Sequence, residues 1–262
     1  MTKRLFADIE TSPCKGWFWK PGYKVRLTYD NVDRDAAIVC ICWKWEGQKK
    51  VYSSSWDWSE EVWDDKPALD AFFGAMSTAD ELVAHNGDRF DWPWIRTRCL
   101  YHRILIPELK TVDTLAISRR LFRFPTNHLD TIQKYLGGKG KLRTDIGLWK
   151  RVIAGDDKAL RYMVKYCKQD VRELEEVYQR FEPYFRPKTH AGVTMGRERW
   201  TCPHCGSQSV HKNNQRASAA GIIRHQMQCL DCFKFYTIAD NVHRMYLEFK
   251  ADEKARKERD ES

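Results

Sequence analysis

Acidic residues stand at several places in this sequence with spacings that would bring side chains together. Asp8 and Glu10 close a short apolar run, and residues two apart in a strand point to the same face. Two adjacent carboxylates repel each other unless a cation lies between them. Tyr166 and Asp170 stand four residues apart, which places a hydroxyl and a carboxylate on one face of a helix. Taken alone, each pair also fits an ordinary exposed strand end or helix surface.

A third acidic segment follows the apolar run that ends at His85. Asn86 and Gly87 predict a turn there, and Asp91 falls at the start of the helix expected next. Asp91 would be a further metal ligand or an ordinary acid favoured by the helix dipole. Asp88 is the alternative metal ligand in this segment. Asn86 would contact a substrate or only stabilise the turn. Asp113, in a similar position, would support the site or cap the following helix.

Four of the nine cysteines form two Cys-x-x-Cys pairs separated by 23 residues. Cys202, Cys205, Cys229 and Cys232 have the spacing of a tetrahedral structural zinc site. A segment of this size would depend on the ion to fold. Its basic residues favour DNA binding, with protein contacts or fold stabilisation as the alternative: Lys212, Arg216, Arg224 and Lys234. The other five cysteines are scattered among apolar neighbours, as core residues would be.

Composition narrows the class of protein. Lys and Arg exceed Asp and Glu by 45 − 36 = +9, which favours a polyanionic partner. No apolar run approaches the roughly 18 residues of a membrane span, and acidic residues replace the apolar core of a secretory signal. We therefore expect an intracellular, cytoplasmic protein with reduced thiols and no membrane association.

The basic charge is concentrated in residues 119–151, where nine Lys and Arg face two acids. Such a run would guide a nucleic-acid strand beside a carboxylate site. Its flexible Gly-rich part predicts substrate contacts at Lys139, Lys141 and Arg143. Four tryptophans near the acidic segments could stack on unpaired bases: Trp17, Trp19, Trp92 and Trp94. Five others are expected to pack in the core: Trp43, Trp45, Trp56, Trp58 and Trp63.

The elements that must position these residues follow from hydrophobic periodicity. Three leading strands, near residues 4–10, 36–43 and 50–53, are followed by alternating helices and strands. The clearest helix covers 156–181, and a charged helix is expected over 239–260. Prolines and a glycine make 183–199 a linker. This order predicts an α/β fold with a mixed sheet flanked by helices.

Together the segments resemble the DEDD superfamily of ribonuclease-H-like 3′–5′ exonucleases. The resemblance covers residues 3–182 and depends on Phe6-Ala7-Asp8-Ile9-Glu10-Thr11, on His85-Asn86-Gly87 with Phe90-Asp91, and on Tyr166-x-x-x-Asp170. Tyrosine rather than histidine before the last Asp resembles the DEDDy branch. Further segments are similar to phage-encoded members: Val112-Asp113-Thr114, Asn127-x-Leu129-Asp130 and Tyr135-Leu136-Gly137.

The resemblance implies hydrolysis of phosphodiester bonds with two Mg²⁺ or Mn²⁺ ions about 4 Å apart. Asp8 would bridge both ions, Glu10, Asp91 and Asp170 would complete their ligands, and Tyr166 would orient the attacking water. The C-terminal cysteines resemble a zinc ribbon, as found on transposases and phage nucleases. The cytoplasm of a phage-infected bacterium is the setting that this implies.

We therefore predict a ribonuclease-H-like exonuclease domain over 1–182, a linker over 183–199, a zinc ribbon over 200–238 and a charged helix or tail over 239–262. The expected substrate is single-stranded DNA, ahead of RNA, and a replication or recombination protein is an open candidate for a partner. Two alternatives remain: a nucleic-acid-binding protein without catalysis, and a structure-specific endonuclease or RNase on the same fold.

Overall fold

The computed structural model describes residues 2–20, 28–59, 63–138, 142 and 144–260. It divides into a larger unit, Lys3–Phe181, and a smaller one made of Glu182–Ser262 with Met1–Thr2. We call them the N-terminal and the C-terminal unit. Across the described ranges, no helix is both long and apolar enough to cross a membrane.

The N-terminal unit alternates strands and helices after an N-terminal group of strands. Its strands are β1 (Arg4–Thr11), β2 (Lys15–Gly16), β3 (Val32–Arg34), β4 (Ile38–Trp45), β5 (Tyr52–Ser55), β6 (Asp57–Trp58), β7 (Trp63–Asp64), β8 (Glu81–Ala84) and β9 (Lys110–Asp113). Its helices are α1 (Lys66–Met76), α2 (Asp91–Tyr101), α3 (Thr114–Leu121), α4 (Leu129–Tyr135), α5 (Ile146–Ile153) and α6 (Asp157–Phe181).

Five of these strands form one mixed sheet in the order β5-β4-β1-β8-β9. The neighbours β5, β4 and β1 run antiparallel, whereas β8 and β9 run parallel to β1. The carboxyl ends of β1, β8 and β9 therefore meet at one edge of the sheet, where ligands bind in open α/β sheets.

The two faces of β1 have different chemistry because successive side chains alternate. Leu5, Ala7 and Ile9 enter a core with α1 and α2. On the other face, the Phe6 ring meets Tyr178 of α6 edge-on, and Asp8 and Glu10 follow on that face. α6 packs along β1 and β4, so it covers the face that carries the carboxylates.

The C-terminal unit contains α7 (Ala191–Thr194), β10 (Val210–Ala217), β11 (Ile223–Cys229), β12 (Phe235–Ala239) and α8 (Asp240–Asp260). The three strands form an antiparallel sheet in chain order. One face of that sheet packs against α8 around Trp200, Met227 and Tyr236.

The structure confirms the predicted fold class, a mixed α/β sheet flanked by helices. Within residues 12–35, which the sequence leaves irregular, β2 and β3 form a small ribbon. Two short helices in the basic stretch, α4 and α5, were not predicted. Both pack against α6, and Asp145 accepts a hydrogen bond from the Leu148 amide at the start of α5. Their stability comes from tertiary contacts that the Gly-rich sequence does not reveal.

Candidate active site and cysteine cluster

Three carboxylates meet where β1 ends beneath α6. One oxygen from each of Asp8, Glu10 and Asp170 lies within 4.8 Å of the others. Asp8 and Glu10 are half-buried, and Asp170 is buried. The two-residue period of β1 and the position of Asp170 on α6 thus combine three oxygen ligands in one place. Such a donor set fits a hard divalent cation, which neutralises the repulsion among the carboxylates.

The end of β1 is held from two sides. The Trp149 indole of α5 donates a hydrogen bond to the Thr11 carbonyl at 3.0 Å. The Cys167 thiol of α6 donates to the Asp8 carbonyl at 3.3 Å. The pairing of β1 with β4 also shifts register between Glu10 and Thr11, as at a β-bulge. These contacts fix the backbone from which Asp8 and Glu10 project.

A cluster of three buried thiols lies on the same side of the sheet. Cys42 and Cys40 of β4 stand directly opposite Asp8 and Glu10, and their sulfur atoms lie within 4.8 Å of the Cys167 sulfur. Burial raises the pKa of the Cys167 thiol well above its usual value, so this thiol stays protonated and can donate to Asp8. These three cysteines are core residues, as their apolar neighbours predict.

Asp91 lies apart from this group of three. Its carboxylate accepts a hydrogen bond from the Ile9 amide at 3.2 Å, so α2 is tied to β1 at the residue between Asp8 and Glu10. Burial raises the pKa of Asp91 to about 7. The rival Asp88 is exposed and accepts a hydrogen bond from the Thr111 hydroxyl at 2.6 Å. The structure therefore brings together three of the four predicted ligands and places Asp91 against the strand that carries two of them.

The turn between β8 and α2 depends on its residue types. Asn86 has a φ of 73°, a conformation that asparagine tolerates better than most residues. A Cβ on Gly87 would lie 2.6 Å from the Ala84 Cβ and 2.8 Å from the Trp92 indole nitrogen. Only glycine allows this close approach. The turn is needed to lead the chain from β8 into the helix that begins with Asp91.

Asp113 joins two segments at the same sheet edge. Its carboxylate caps α3 by accepting hydrogen bonds from the Leu115 and Ala116 amides, which confirms the capping interpretation. It also accepts from the amides of Asn86 and Asp88. One side chain thereby connects the end of β9 to the turn after β8.

A cleft of about 680 Å³ opens beside the carboxylates, a volume within the usual range for ligand sites. Asp8 and Asp170 line it together with His85, Asn86 and Arg119. The His85 ring lies between the Thr114 hydroxyl at 2.9 Å and the Asn127 carbonyl at 2.8 Å. From the sequence, Arg119 belonged only to a basic run, and His85 belonged to a motif but had no predicted role of its own. Their proximity to the carboxylates comes from the packing of α3 and the segment before α4.

The remaining predicted site residues have different positions. Tyr166 is half-buried one turn before Asp170 on α6. Lys139, Lys141 and Arg143 lie outside the described residues. Trp17 and Trp19 are exposed, as base stacking would require. Trp92 is buried in the core, so the stacking prediction is wrong for that residue.

The four C-terminal cysteines form a second candidate metal centre. Their sulfur atoms all lie within 4.8 Å of one another, with 3.6 Å from Cys202 to Cys232 and from Cys205 to Cys229. A tetrahedral zinc with Zn–S bonds of about 2.3 Å would separate its sulfur ligands by about 3.8 Å. The distances therefore fit one zinc ion.

The local backbone brings each cysteine pair together. The Gly206 amide donates to the Cys202 carbonyl at 2.8 Å, and the Cys229 amide donates to the Lys234 carbonyl at 3.0 Å. Burial raises the pKa of the Cys232 thiol to about 11. A cation bound by Cys232 must therefore displace the proton of this thiol, which links metal binding in this unit to proton release.

Comparisons with known proteins identify relatives of this chain. A family model described as RNase_H superfamily matches residues 31–182. A DNA polymerase of Methanocaldococcus jannaschii is 23% identical over 182 residues, which cover 60% of this chain and 11% of that protein. The structure of the family B DNA polymerase from Pyrobaculum calidifontis superimposes with a TM-score of 0.54 at 16% identity, covering 70% of this chain and 25% of that one. This chain thus spans only a small part of either polymerase.

Proposed function

Because this chain belongs to the RNase H superfamily, whose model matches more than half of it, we propose that it is a metal-dependent 3′–5′ exonuclease acting on single-stranded DNA. Family and fold support a nuclease in general. The observation that carries the proposal is the convergence of Asp8, Glu10 and Asp170 beside an open cleft.

The three carboxylates would hold divalent metal, Mg²⁺ or Mn²⁺, in two sites with Asp91 as the fourth acidic residue. Such ions supply charge stabilisation and an acidified water when they are bound. Asp91 accepts a hydrogen bond from the Ile9 amide and so would support the backbone between Asp8 and Glu10. Burial raises the pKa of Asp91 to about 7, and a cation bound nearby would favour its ionised form.

Tyr166 would orient the attacking water. The role is supported by the four-residue spacing on α6, which puts Tyr166 and Asp170 on the same side of the helix. A free phenol has a pKa of about 10 and is therefore protonated at neutral pH. Tyr166 is for this reason assigned a hydrogen bond to the water rather than removal of its proton. Arg119 lines the cleft with Asp8 and Asp170, and its guanidinium is suited to a substrate phosphate.

Further basic and aromatic side chains would also contact the strand. Lys139, Lys141 and Arg143 remain the proposed phosphate contacts, and the exposed Trp17 and Trp19 the proposed stacking residues. DNA is favoured over RNA because the two relatives named above are DNA polymerases. The direction 3′ to 5′ depends on the order of the acidic motifs and their resemblance to the DEDD exonucleases.

The test is a time course on a 5′-labelled single-stranded DNA with Mg²⁺, with Mn²⁺ and without added divalent ion. We expect a ladder that shortens from the 3′ end only when an ion is added. Asp8→Asn and Asp170→Asn should each slow it by about a hundredfold or more. Asp88→Asn is the matched control, since this exposed carboxylate lies outside the group of three, and it should retain activity.

Each alternative has its own result. Immediate release of a labelled mononucleotide would indicate degradation from the 5′ end. Cleavage of a circular single strand would indicate an endonuclease. Faster hydrolysis of a matched RNA would reverse the sugar preference. Binding without hydrolysis under any ion would identify a non-catalytic nucleic-acid-binding protein.

A further inference from the structure

The C-terminal unit has a sheet with one covered and one open face. Along β11, His225, Met227 and Cys229 are buried, and Met227 and Cys229 belong to the core that packs against α8. Alternation therefore turns Arg224, Gln226 and Gln228 to the opposite face. Within the C-terminal unit as described between 182 and 260, the long helix α8 lies on the covered face and leaves this one open.

Strand register extends this open face into three rows across the sheet. The rows are Arg216–Arg224–Ala239, Asn214–Gln226–Thr237 and His211–Gln228–Phe235. Neighbouring rows lie about 6.6 Å apart along the strands, since residues two apart are separated by twice the rise. We call this surface the open sheet face. It contains guanidinium, amide, hydroxyl, imidazole and aromatic groups, and none of these nine residues is acidic.

The first row places two arginines directly opposite each other. Like charges in directly opposite positions destabilise a strand pair. Both side chains are exposed, and within the described residues no carboxylate forms an ion pair with either. Two other basic residues of this unit are paired, Lys234 with Glu182 at 2.6 Å and Arg244 with Asp240 at 2.8 Å. The uncompensated pair favours an anionic ligand across the first row.

The other two rows offer groups that suit unpaired bases. Asn214 and Gln226 have side-chain amides, which both donate and accept hydrogen bonds and match the edges of bases. Asn213 lies in the β10 irregularity. Its side-chain amide nitrogen donates to the side-chain oxygen Oε1 of Gln226 at 2.9 Å and orients the Gln226 amide group. Phe235 is half exposed, and an exposed ring on a sheet is a stacking surface for a base.

We propose that the open sheet face binds a single strand of DNA, with a phosphate between Arg216 and Arg224 and bases on Asn214, Gln226 and Phe235. The proposal rests on the proposed function only in that the strand is the polymer that the carboxylate site would cleave. The binding itself requires no catalysis.

The experiment measures fluorescence anisotropy of a labelled 20-nucleotide oligothymidine with the zinc-loaded full chain. The Asp170→Asn background and the omission of Mg²⁺ and Mn²⁺ prevent cleavage. Replacing both arginines, Arg216→Ala with Arg224→Ala, should weaken binding at least tenfold. It should also reduce the slope of log affinity against log salt by about 0.7, the contribution of the one phosphate of a single strand that is no longer neutralised. Phe235→Ala should weaken binding at least fivefold.

Arg244→Ala is the matched control, because this exposed arginine lies on α8 and pairs with Asp240. It should change affinity less than twofold. One bound zinc per chain and an unchanged circular dichroism spectrum establish that each variant is folded. An unchanged affinity in the double arginine variant, or an equal loss in Arg244→Ala, would overturn the proposal. Tighter binding of a 20-base-pair duplex than of the single strand would overturn the choice of ligand.

The two proposals fail in different ways. Hydrolysis that persists in Asp8→Asn would refute the carboxylate site and leave the anisotropy result intact. Normal binding by the double arginine variant would refute the open sheet face and leave metal-dependent hydrolysis intact.

Discussion

Asp65 should be among the residues whose loss most destabilises the N-terminal unit. It is fully buried and accepts four hydrogen bonds, from the Ile38 amide at 2.9 Å, from the Arg98 guanidinium at 2.6 and 3.0 Å, and from the His102 ring at 2.6 Å. Asp65 precedes α1 without capping it through its side chain. Its role is therefore to connect β4, α1 and α2.

The size of the stability loss in Asp65→Ala follows from the unpaired charge of Arg98. Asp65→Ala would leave the buried Arg98 guanidinium without its counterion. Removing one partner of a buried pair costs about 3–5 kcal/mol. For a unit of this size each kcal/mol lowers the melting temperature by about 2–4 °C, so the expected decrease is roughly 6–20 °C. Because α2 begins with Asp91, the proposed nuclease activity should fall at temperatures below global unfolding.

The assay is urea unfolding of the full chain, followed by tryptophan fluorescence and circular dichroism. Asp70→Ala is the matched control, since Asp70 lies in α1, the helix that begins directly after Asp65, and pairs with Lys66 at 2.5 Å, but both side chains are exposed. That change should cost about 0.5 kcal/mol or less. Adding Arg98→Met to Asp65→Ala should recover part of the loss, because no unpaired charge then remains.

An Asp65→Ala variant that loses less than about 1 kcal/mol, or no more than Asp70→Ala, would refute this reasoning. A double variant as unstable as the sum of its two single variants would show that the hydrogen bonds, rather than the unpaired charge, account for the loss.

Two further predictions concern the turn and the zinc centre. Gly87→Ala should lower the free energy of unfolding by about 1–3 kcal/mol through its clash with Ala84 and Trp92, as measured by urea unfolding. Gly74→Ala, inside α1 with open space around it, should instead raise the free energy of unfolding by up to about 1 kcal/mol. If both substitutions changed this free energy in the same direction, the steric argument would be contradicted. Cys205→Ala should abolish binding of the proposed zinc ion and unfold the C-terminal sheet, as measured by circular dichroism, whereas Cys14→Ala should leave zinc binding and the sheet unchanged.

Local geometry made several features predictable from the sequence. The two-residue period of a strand puts Asp8 and Glu10 on one face, and the helical period puts Tyr166 above Asp170. These relations need no knowledge of the rest of the chain. The spacing of the Cys-x-x-Cys pairs similarly predicts a metal site, and the structure brings all four sulfur atoms together. Hydrophobic periodicity was sufficient for the order of the main strands and helices.

Contacts between distant segments were not predictable in this way. The sequence does not specify that Asp91 reaches the Ile9 amide, or that Asp113 serves both α3 and the turn after β8. It did not distinguish the buried Trp92 from the exposed Trp17 either. The positions of these side chains depend on which face of each element packs against a partner many residues away.

The sequence by itself therefore determined the chemical groups and their local spacing: carboxylates in pairs, thiols in pairs and a surplus of basic charge. Only the tertiary structure decided which groups meet. Parallel pairing of β1, β8 and β9 brings their carboxyl ends to one edge, and the packing of α6 adds Asp170 to Asp8 and Glu10. The physical reason is that strand pairing and helix packing depend on apolar burial across the whole sheet, which no single motif encodes.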